Sequence, residues 1–119
     1  MRYVQTTIHV KELARSIRFY EDFIGLKQTR RFDAGPGEIV FLANGAGETA
    51  VELIFMPQNG PCTRQGISIG FETDDLMRDL ACAKARGWDP GEVQQPNPRT
   101  KFFFVNDPDG VCVQLVQFE

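Results

Sequence analysis

Phe102-Phe103-Phe104-Val105-Asn106-Asp107-Pro108-Asp109-Gly110-Val111-Cys112-Val113-Gln114-Leu115-Val116 holds two strand-like runs around one turn. Pro108 presets a type I turn and Gly110 supplies the left-handed position, which makes a three-residue hairpin loop with a bulge. Residue 107 then closes against 111, and paired residues sum to 218. Asn106 faces Cys112, Phe104 faces Gln114 and Phe102 faces Val116, all on one side of the sheet. The opposite side carries Phe103, Val105, Val113, Leu115 and Gln117, a mostly apolar set suited to packing on a helix. Gln114 is therefore expected on the ligand-facing, concave side, framed by Phe102 and Phe104.

Outward from this hairpin, the second half of the chain shows a strand over Gly66 to Thr73 and a helix carrying Leu76, Leu80 and Ala83 that stops at Gly87. A weaker strand is predicted within Pro90 to Gln95, followed by strands Lys101 to Asn106 and Val111 to Phe118. That order is βαβββ. The first half repeats it: a strand from Tyr3 to Val10, a helix carrying Leu13, Ile17, Tyr20 and Ile24 capped by Gly25, then strands Leu26 to Asp33, Glu38 to Ala43 and Thr49 to Met56. The modules, about 1–57 and 66–119, are joined by a Pro/Gly-containing loop over Pro57 to Gln65. Their landmarks recur at one offset, Leu13 and Leu76 lying 63 apart and Gly25 and Gly87 62 apart. The same offset pairs Gln5 with Ser68 and Glu52 with Gln114. These four residues occupy two pairs of pseudo-equivalent positions.

The 119 residues suffice for a single domain without covalent staples, and 42% hydrophobic with 24% charged residues is the composition of a soluble globular protein. Thirteen Lys and Arg against sixteen Asp and Glu give a net charge of −3, the wrong sign for a phosphate-binding surface, so nucleic acid is not expected as a partner. No apolar run approaches the ~20 residues that span a bilayer, and the N-terminus opens no signal-like segment, so a cytoplasmic protein away from membranes is expected. Cys62, Cys82 and Cys112 form no CxxC pair and are expected as buried reduced thiols. His9 is the single histidine, so a site needing two imidazole ligands cannot be built within one chain.

Ile8-His9-Val10 running into Leu13-Ala14-Arg15-Ser16-Ile17-Arg18-Phe19-Tyr20 and Phe23-Ile24-Gly25-Leu26, then Ala50-Val51-Glu52-Leu53, Ile69-Gly70-Phe71-Glu72-Thr73-Asp74-Asp75-Leu76 and Phe103 to Gly110, stand in the order and spacing of a known family. With these segments the chain resembles the vicinal oxygen chelate superfamily: glyoxalase I, extradiol dioxygenases, fosfomycin-modifying enzymes and bleomycin-sequestering resistance proteins. The resemblance implies an α+β fold in which two βαβββ modules form a U-shaped mixed sheet, commonly paired in a homodimer, with a small-molecule site in the concavity. The catalytic members hold one divalent metal at four strand positions, commonly His or Gln, Glu, His and Glu. These match Gln5, Glu52, Ser68 and Gln114. Ser68 stands where histidine is expected and Gln114 where glutamate is expected. A hydroxyl is a poor ligand for Zn, Ni or Fe, an amide offsets no cationic charge, and glutamine cannot carry a proton between substrate atoms. No cofactor is therefore expected beyond a weakly held divalent metal.

Three further features have competing readings. Gly45-Ala46-Gly47-Glu48-Thr49-Ala50 matches a phosphate-cradling G-x-G-x-x-A, but it precedes the alternating Val51, Leu53 and Phe55, so a hairpin turn is expected. His9 shares a strand face with Gln5 and Thr7 and either binds a ligand anion or hydrogen-bonds protein at the rim. In glyoxalases a basic residue at the matching position contacts glutathione. Glu52 between apolar neighbours must be protonated, hydrogen-bonded or paired, and serves either as a ligand-binding group or base or as a residual family feature held by Gln5 or Gln114. Phe102 and Phe104, with Phe41 and Phe55, are candidates to line the cavity and stack planar ligands. The expected function is metal-independent small-molecule binding in the manner of bleomycin-type sequestering proteins, with Gln5, His9, Glu52, Ser68, Phe102, Phe104 and Gln114 lining the pocket. The alternative is a divalent-metal lyase or isomerase of glyoxalase type, with Glu52 catalytic.

Overall fold

The hairpin around Pro108 forms with the pairing its turn dictates. In a computed structural model describing residues 2–57 and 67–119, Thr100 to Asn106 pair with Phe118 to Cys112, every pair summing to 218. Gly110 takes φ +86°, and the Gly110 amide donates to the Asp107 carbonyl at 3.0 Å. Asp107, 4% exposed, adds a clasp: its Oδ1 accepts from the Asp109 amide at 2.8 Å and the Val111 amide at 2.9 Å.

The chain divides into two compact units, Met1–Thr63 and Arg64–Glu119. Each holds a mixed four-stranded sheet. In the first unit the elements are β1 (Gln5–His9), α1 (Leu13–Arg18), a π-helical turn (Phe19–Phe23), β2 (Lys27–Ala34), β3 (Gly37–Ala43) and β4 (Ala50–Phe55). The second has β5 (Ser68–Glu72), α2 (Leu76–Ala85), β6 (Gln94–Asn97), β7 (Thr100–Asn106) and β8 (Cys112–Phe118). The sheet orders, β1-β4-β3-β2 and β5-β8-β7-β6, are the same topology twice. First and last strands of each unit run parallel and the others are antiparallel. This is the α+β, doubled βαβββ architecture expected. Three predictions at the module junction, the joining loop beyond Pro57, the Cys62 thiol and the strand start at Gly66, lie outside the described residues.

In each unit one sheet face is buried. Ile8 of β1 and Val10 just beyond it, Val40 and Leu42 of β3, and Val51 and Leu53 of β4 form the first core with Ile17, Phe19 and Tyr20. The second core joins Phe103, Val105, Val113 and Leu115 to Leu76, Leu80 and Ala83, which recur on one stripe of α2. Gln117 sits at the end of that face as a cap: its Oε1 accepts from the Leu76 amide at 2.9 Å and its Nε2 donates to the Asp74 carbonyl. The Asp75 side chain accepts from the Arg78 amide at 3.1 Å, satisfying a second orphan donor of α2.

Three local expectations are corrected. The first helix is not α-helical to Ile24; after Arg18 it widens, and the Ile24 amide donates to the Phe19 carbonyl five residues back at 3.1 Å. The wider turn carries consecutive Phe19 and Tyr20, 1% and 0% exposed, into the core. The weak strand expected within Pro90 to Gln95 starts at Gln94 and runs on to Asn97, past the expected end; before it, the Gly91 amide donates to the Phe104 carbonyl of β7. Cys82 and Cys112 are free thiols as expected but half-buried rather than buried. The Gly45–Ala50 motif is a turn between β3 and β4, with the Glu48 amide on the Gly45 carbonyl at 3.2 Å. Gly37 is required for a different reason: a Cβ there would stand 2.0 Å from the Phe55 carbonyl oxygen. Among the described residues no helix is long and apolar enough to cross a membrane.

Candidate functional site

Strand periodicity puts Gln5, Thr7 and His9 of β1 on the face opposite the first unit's core, since Ile8 and Val10 point inward. Thr7 pairs with Glu52, and Glu52 pairs in turn with Phe41 of β3, so the three share one transverse rung of the sheet. Glu52 is half-buried between Val51 and Leu53, which turn to the core. The Thr7 hydroxyl donates to Glu52 Oε1 at 2.6 Å, and Gln5 Nε2 donates to the same oxygen at 3.0 Å. The satisfaction that a carboxylate in this position requires thus comes from Gln5, as expected, and also from Thr7, which sequence reasoning placed on the face without giving it a role. His9 lies two residues beyond Thr7, half-buried and opposite Ile54.

The far end of this rung carries two groups that sequence reasoning missed. Arg30 of β2 pairs with Phe41, and its guanidinium carbon lies 4.9 Å from the Phe41 ring centroid and 5.2 Å from that of Phe32. The two rings stack at 6.3 Å with a 25° interplanar angle. Phe41 is therefore on the Glu52 face, as suggested. Phe55 is not; it follows Val51 and Leu53 on the other parity of β4 and is corrected to that face.

In the second unit the corresponding rung is Gly70, Gln114 and Phe104. Gln114 is half-buried, and its Oε1 lies 3.5 Å from where a Cβ on Gly70 would stand, so the missing side chain leaves room for the amide to lie across β5. Phe102 and Phe104 meet edge to face at 5.6 Å. Ser68 is exposed at the start of β5, opposite Cys112, one strand period from Gly70. Glu72, exposed at the other end of β5 on the same parity, was not singled out from the sequence; it lies 63 residues after His9 and takes that position's place in the second unit. Gln5, His9 and Glu52 thus share a face in the first unit, and Ser68, Phe102, Phe104 and Gln114 share one in the second.

At the four positions that the resemblance matches to metal ligands, the donors are an amide and a carboxylate in the first unit and a hydroxyl and a second amide in the second. All are oxygens, and one carries charge. Gln5 spends its amide N–H on Glu52, and among the described residues no group of three His, Cys, Asp or Glu side chains is placed to hold a metal ion. Zn, Ni and Fe favour imidazole or thiolate nitrogen and sulfur donors, and a single carboxylate leaves most of a dication's charge unbalanced. This donor set does not fit a tightly held transition metal.

The family model for the Glyoxalase/Bleomycin resistance protein/Dioxygenase superfamily matches residues 2–115. A probable lactoylglutathione lyase of Synechocystis is 30% identical over 96% of this chain and 93% of its own length. A lactoylglutathione lyase of Neisseria meningitidis is 28% identical over 98% of this chain and 91% of its length. Among solved structures, the trypanothione-dependent glyoxalase I of Leishmania major superposes with TM-score 0.85 at 25% identity, covering 98% of this chain and 86% of that one. An antibiotic binding protein from Streptomyces superposes with TM-score 0.73 at 20% identity over 100% of this chain and 97% of that one, a likeness of fold alone. The doubled βαβββ units and the family match along nearly the whole length agree: the chain belongs to the Glyoxalase/Bleomycin resistance protein/Dioxygenase superfamily.

Proposed function

We propose that this chain is a lyase- or isomerase-type member of the superfamily that acts on a small molecule at the Glu52 face, with Glu52 moving the proton and no transition metal tightly held. The observation that carries this reading is the convergence of Thr7 and Gln5 on one oxygen of Glu52. Two donors fix the carboxylate in orientation, which is what a general base needs in order to take a proton from one carbon and return it to the next. The relatives' names support the reaction type. A thiohemiacetal becomes a lactoyl thioester when the C–H proton of the sulfur-bearing carbon moves to the neighbouring carbonyl carbon and the hydroxyl proton of the first carbon passes to the oxygen of the second, so that the two carbons exchange C–OH and C=O. The first carbon is oxidised and the second reduced within one molecule, so no outside oxidant is needed. Phe41, the strand neighbour of Glu52, supplies apolar surface on that side of the carboxylate. No step is assigned to a metal.

The test is thioester formation from glutathione and methylglyoxal, with wild type and Glu52→Gln assayed in chelator. Wild type should turn over, and the variant should lose about 10²–10⁴-fold, the span that general-base catalysis supplies. Equal rates would remove Glu52 from the chemistry. Stoichiometric Zn, Ni or Fe in the purified protein, lost in Glu52→Gln, would overturn the metal part of the proposal.

A second reading, sequestration without turnover, is favoured by the second unit. Its rung carries a neutral amide and two edge-to-face phenyl rings, a surface that stacks planar ligands without reacting with them. Saturable binding of a planar compound, weakened by Phe104→Ala and accompanied by no turnover, would select it. We further propose that the chain works as a homodimer in the cytoplasm, and light scattering that gives only monomer at micromolar concentration would remove the dimer.

A further inference from the structure

Arg30 stands on the Glu52 face because β2 contains one extra residue. Lys27 pairs with Ala43 and Gln28 with Leu42, but the register then shifts, and Arg30 pairs with Phe41 and Phe32 with Ile39. Continued without the shift, the first register would set Thr29 against Phe41 and Arg30 against Val40, which is wholly buried on the core face. Thr29 is the bulged residue, tied back by its hydroxyl to the Phe41 carbonyl at 3.4 Å. A bulge gives up ladder hydrogen bonding and reverses side-chain parity beyond it, re-aiming the residues that follow. Here the re-aimed residues are Arg30 and Phe32.

The two adjacent arginines are used differently. Arg31 points to the other face and is paired with Glu38. Arg30 has no carboxylate within ion-pair distance among the described residues, and it rests on Phe41 and Phe32 instead. Stacking occupies one flat face of a guanidinium and leaves its in-plane N–H fork available, the edge that matches two carboxylate oxygens. The rings also restrict the side chain, so less freedom is lost when that fork is engaged. Arg30, Phe41 and Glu52 lie on consecutive strands of one rung, which sets the backbones carrying cation and carboxylate about 10 Å apart, two strand spacings.

We infer that Arg30 recognises a carboxylate of the ligand, and that this chain takes small carboxylates whose body lies over Phe41 between Arg30 and Glu52. The inference rests on the reading above in taking the Glu52 face as the ligand face, and it adds the chemical class of the ligand.

The test is a titration of the full-length, ¹⁵N-labelled protein with benzoate, benzamide and inorganic phosphate, following the Arg30 Nε–Hε resonance. Benzoate should shift that resonance saturably, and benzamide, with the same ring and no charge, should not. Arg30→Gln should weaken benzoate at least about tenfold, Arg30→Lys should fall between it and wild type, and Arg31→Gln should bind as wild type does. Thermal unfolding of the Arg30 variants close to that of wild type keeps the loss attributable to the site. Absence of saturable benzoate binding by wild type, or equal losses in the Arg30 and Arg31 variants, overturns the inference. Displacement of benzoate by an equal concentration of phosphate overturns the carboxylate assignment. Glu52→Gln separates the two proposals, because it should abolish turnover without weakening benzoate. Arg30-dependent binding without turnover by wild type would sink the reaction and spare the ligand class, whereas turnover with benzoate binding unchanged in Arg30→Gln would do the reverse.

Discussion

Thr7, Glu52 and Phe41 in the first unit occupy the rung that Gly70, Gln114 and Phe104 occupy in the second, strand for strand. The backbone geometry is duplicated and the chemistry is not. Where one rung has a hydroxyl donating to a carboxylate, the other has an amide lying over a glycine. One period further along, His9 in the first unit corresponds to Glu72 in the second, so the acidic and neutral positions are redistributed rather than simply lost. A doubled scaffold frees each copy to specialise: the first carries a fixed, chargeable group, and the second carries aromatic surface and a neutral hydrogen-bonding group. The phenyl ring beside the central residue is the element both retain.

The sharpest way to break this contrast is to remove the functional group from each rung in turn. Glu52→Gln should cost about 10²–10⁴-fold in turnover, whereas Gln114→Leu, which keeps the volume and removes only the amide, should cost less than about tenfold. Comparable losses would mean that the rungs are chemically equivalent after all. The turns preceding the last strands give a stability version of the same test, because Asn44 and Asp107 lie 63 residues apart. Asp107→Ala strands two backbone amides and should destabilise by about 2–3 kcal/mol in denaturant unfolding. Asn44 is exposed, and Asn44→Ala should stay within about 0.5 kcal/mol of wild type.

A smaller effect tests the family positions in the second unit. Ser68→His with Gln114→Glu replaces two neutral groups by an imidazole and a carboxylate, and nickel at ten times its dissociation constant should then stabilise the protein by about 1.4 kcal/mol, with no response in wild type. Nickel stabilising wild type equally would show a working site already present, and no response from the double variant would mean that these positions do not converge on a metal. The smallest effect concerns the ion pair on the other face of β2. Hydrogen bonding to Arg31 holds the Glu38 carboxyl below its ordinary value of 4.5. A depressed carboxylate contributes stability that is present above its unfolded pKa and is lost as pH falls through the folded one. Arg31→Gln should therefore lower the melting temperature slightly at neutral pH, and the two proteins should converge in acid below about 4.5. A gap that persists unchanged into acid would mean that the pair is not its source.

Much of this contrast was legible in the sequence, and the reasons are local. The Pro108–Gly110 turn permits one register, and from it follow the facing of Phe102, Phe104 and Gln114 and the buried row from Phe103 to Leu115. The constant offset between modules pairs Gln5 with Ser68 and Glu52 with Gln114, and these pairs hold equivalent places on the first and last strands of the two units. Arg30 was not legible, because Thr29 is an ordinary strand residue and its bulge carries no glycine to mark it. The widened turn at Phe19–Phe23 escaped for a related reason: an inserted residue changes the period without changing composition. Thr7 could have been found by asking which neighbour on its face satisfies Glu52, a question of hydrogen-bond accounting rather than of motif.

The parallel pairing of each unit's first and last strands has a consequence for folding order. Strands β2, β3 and β4 can pair successively through short turns, but β1 must return across about 45 residues to reach β4. Closure of a loop that long costs entropy before any contact rewards it, so the β1–β4 seam is expected to form late in each unit's folding. The hydrogen bond from Thr7 to Glu52 spans that seam. A partly folded first unit, with its three antiparallel strands already zipped, would therefore present Glu52 without its anchor: the assembled carboxylate exists only in the completed unit, and chemistry there reports on the last step of folding.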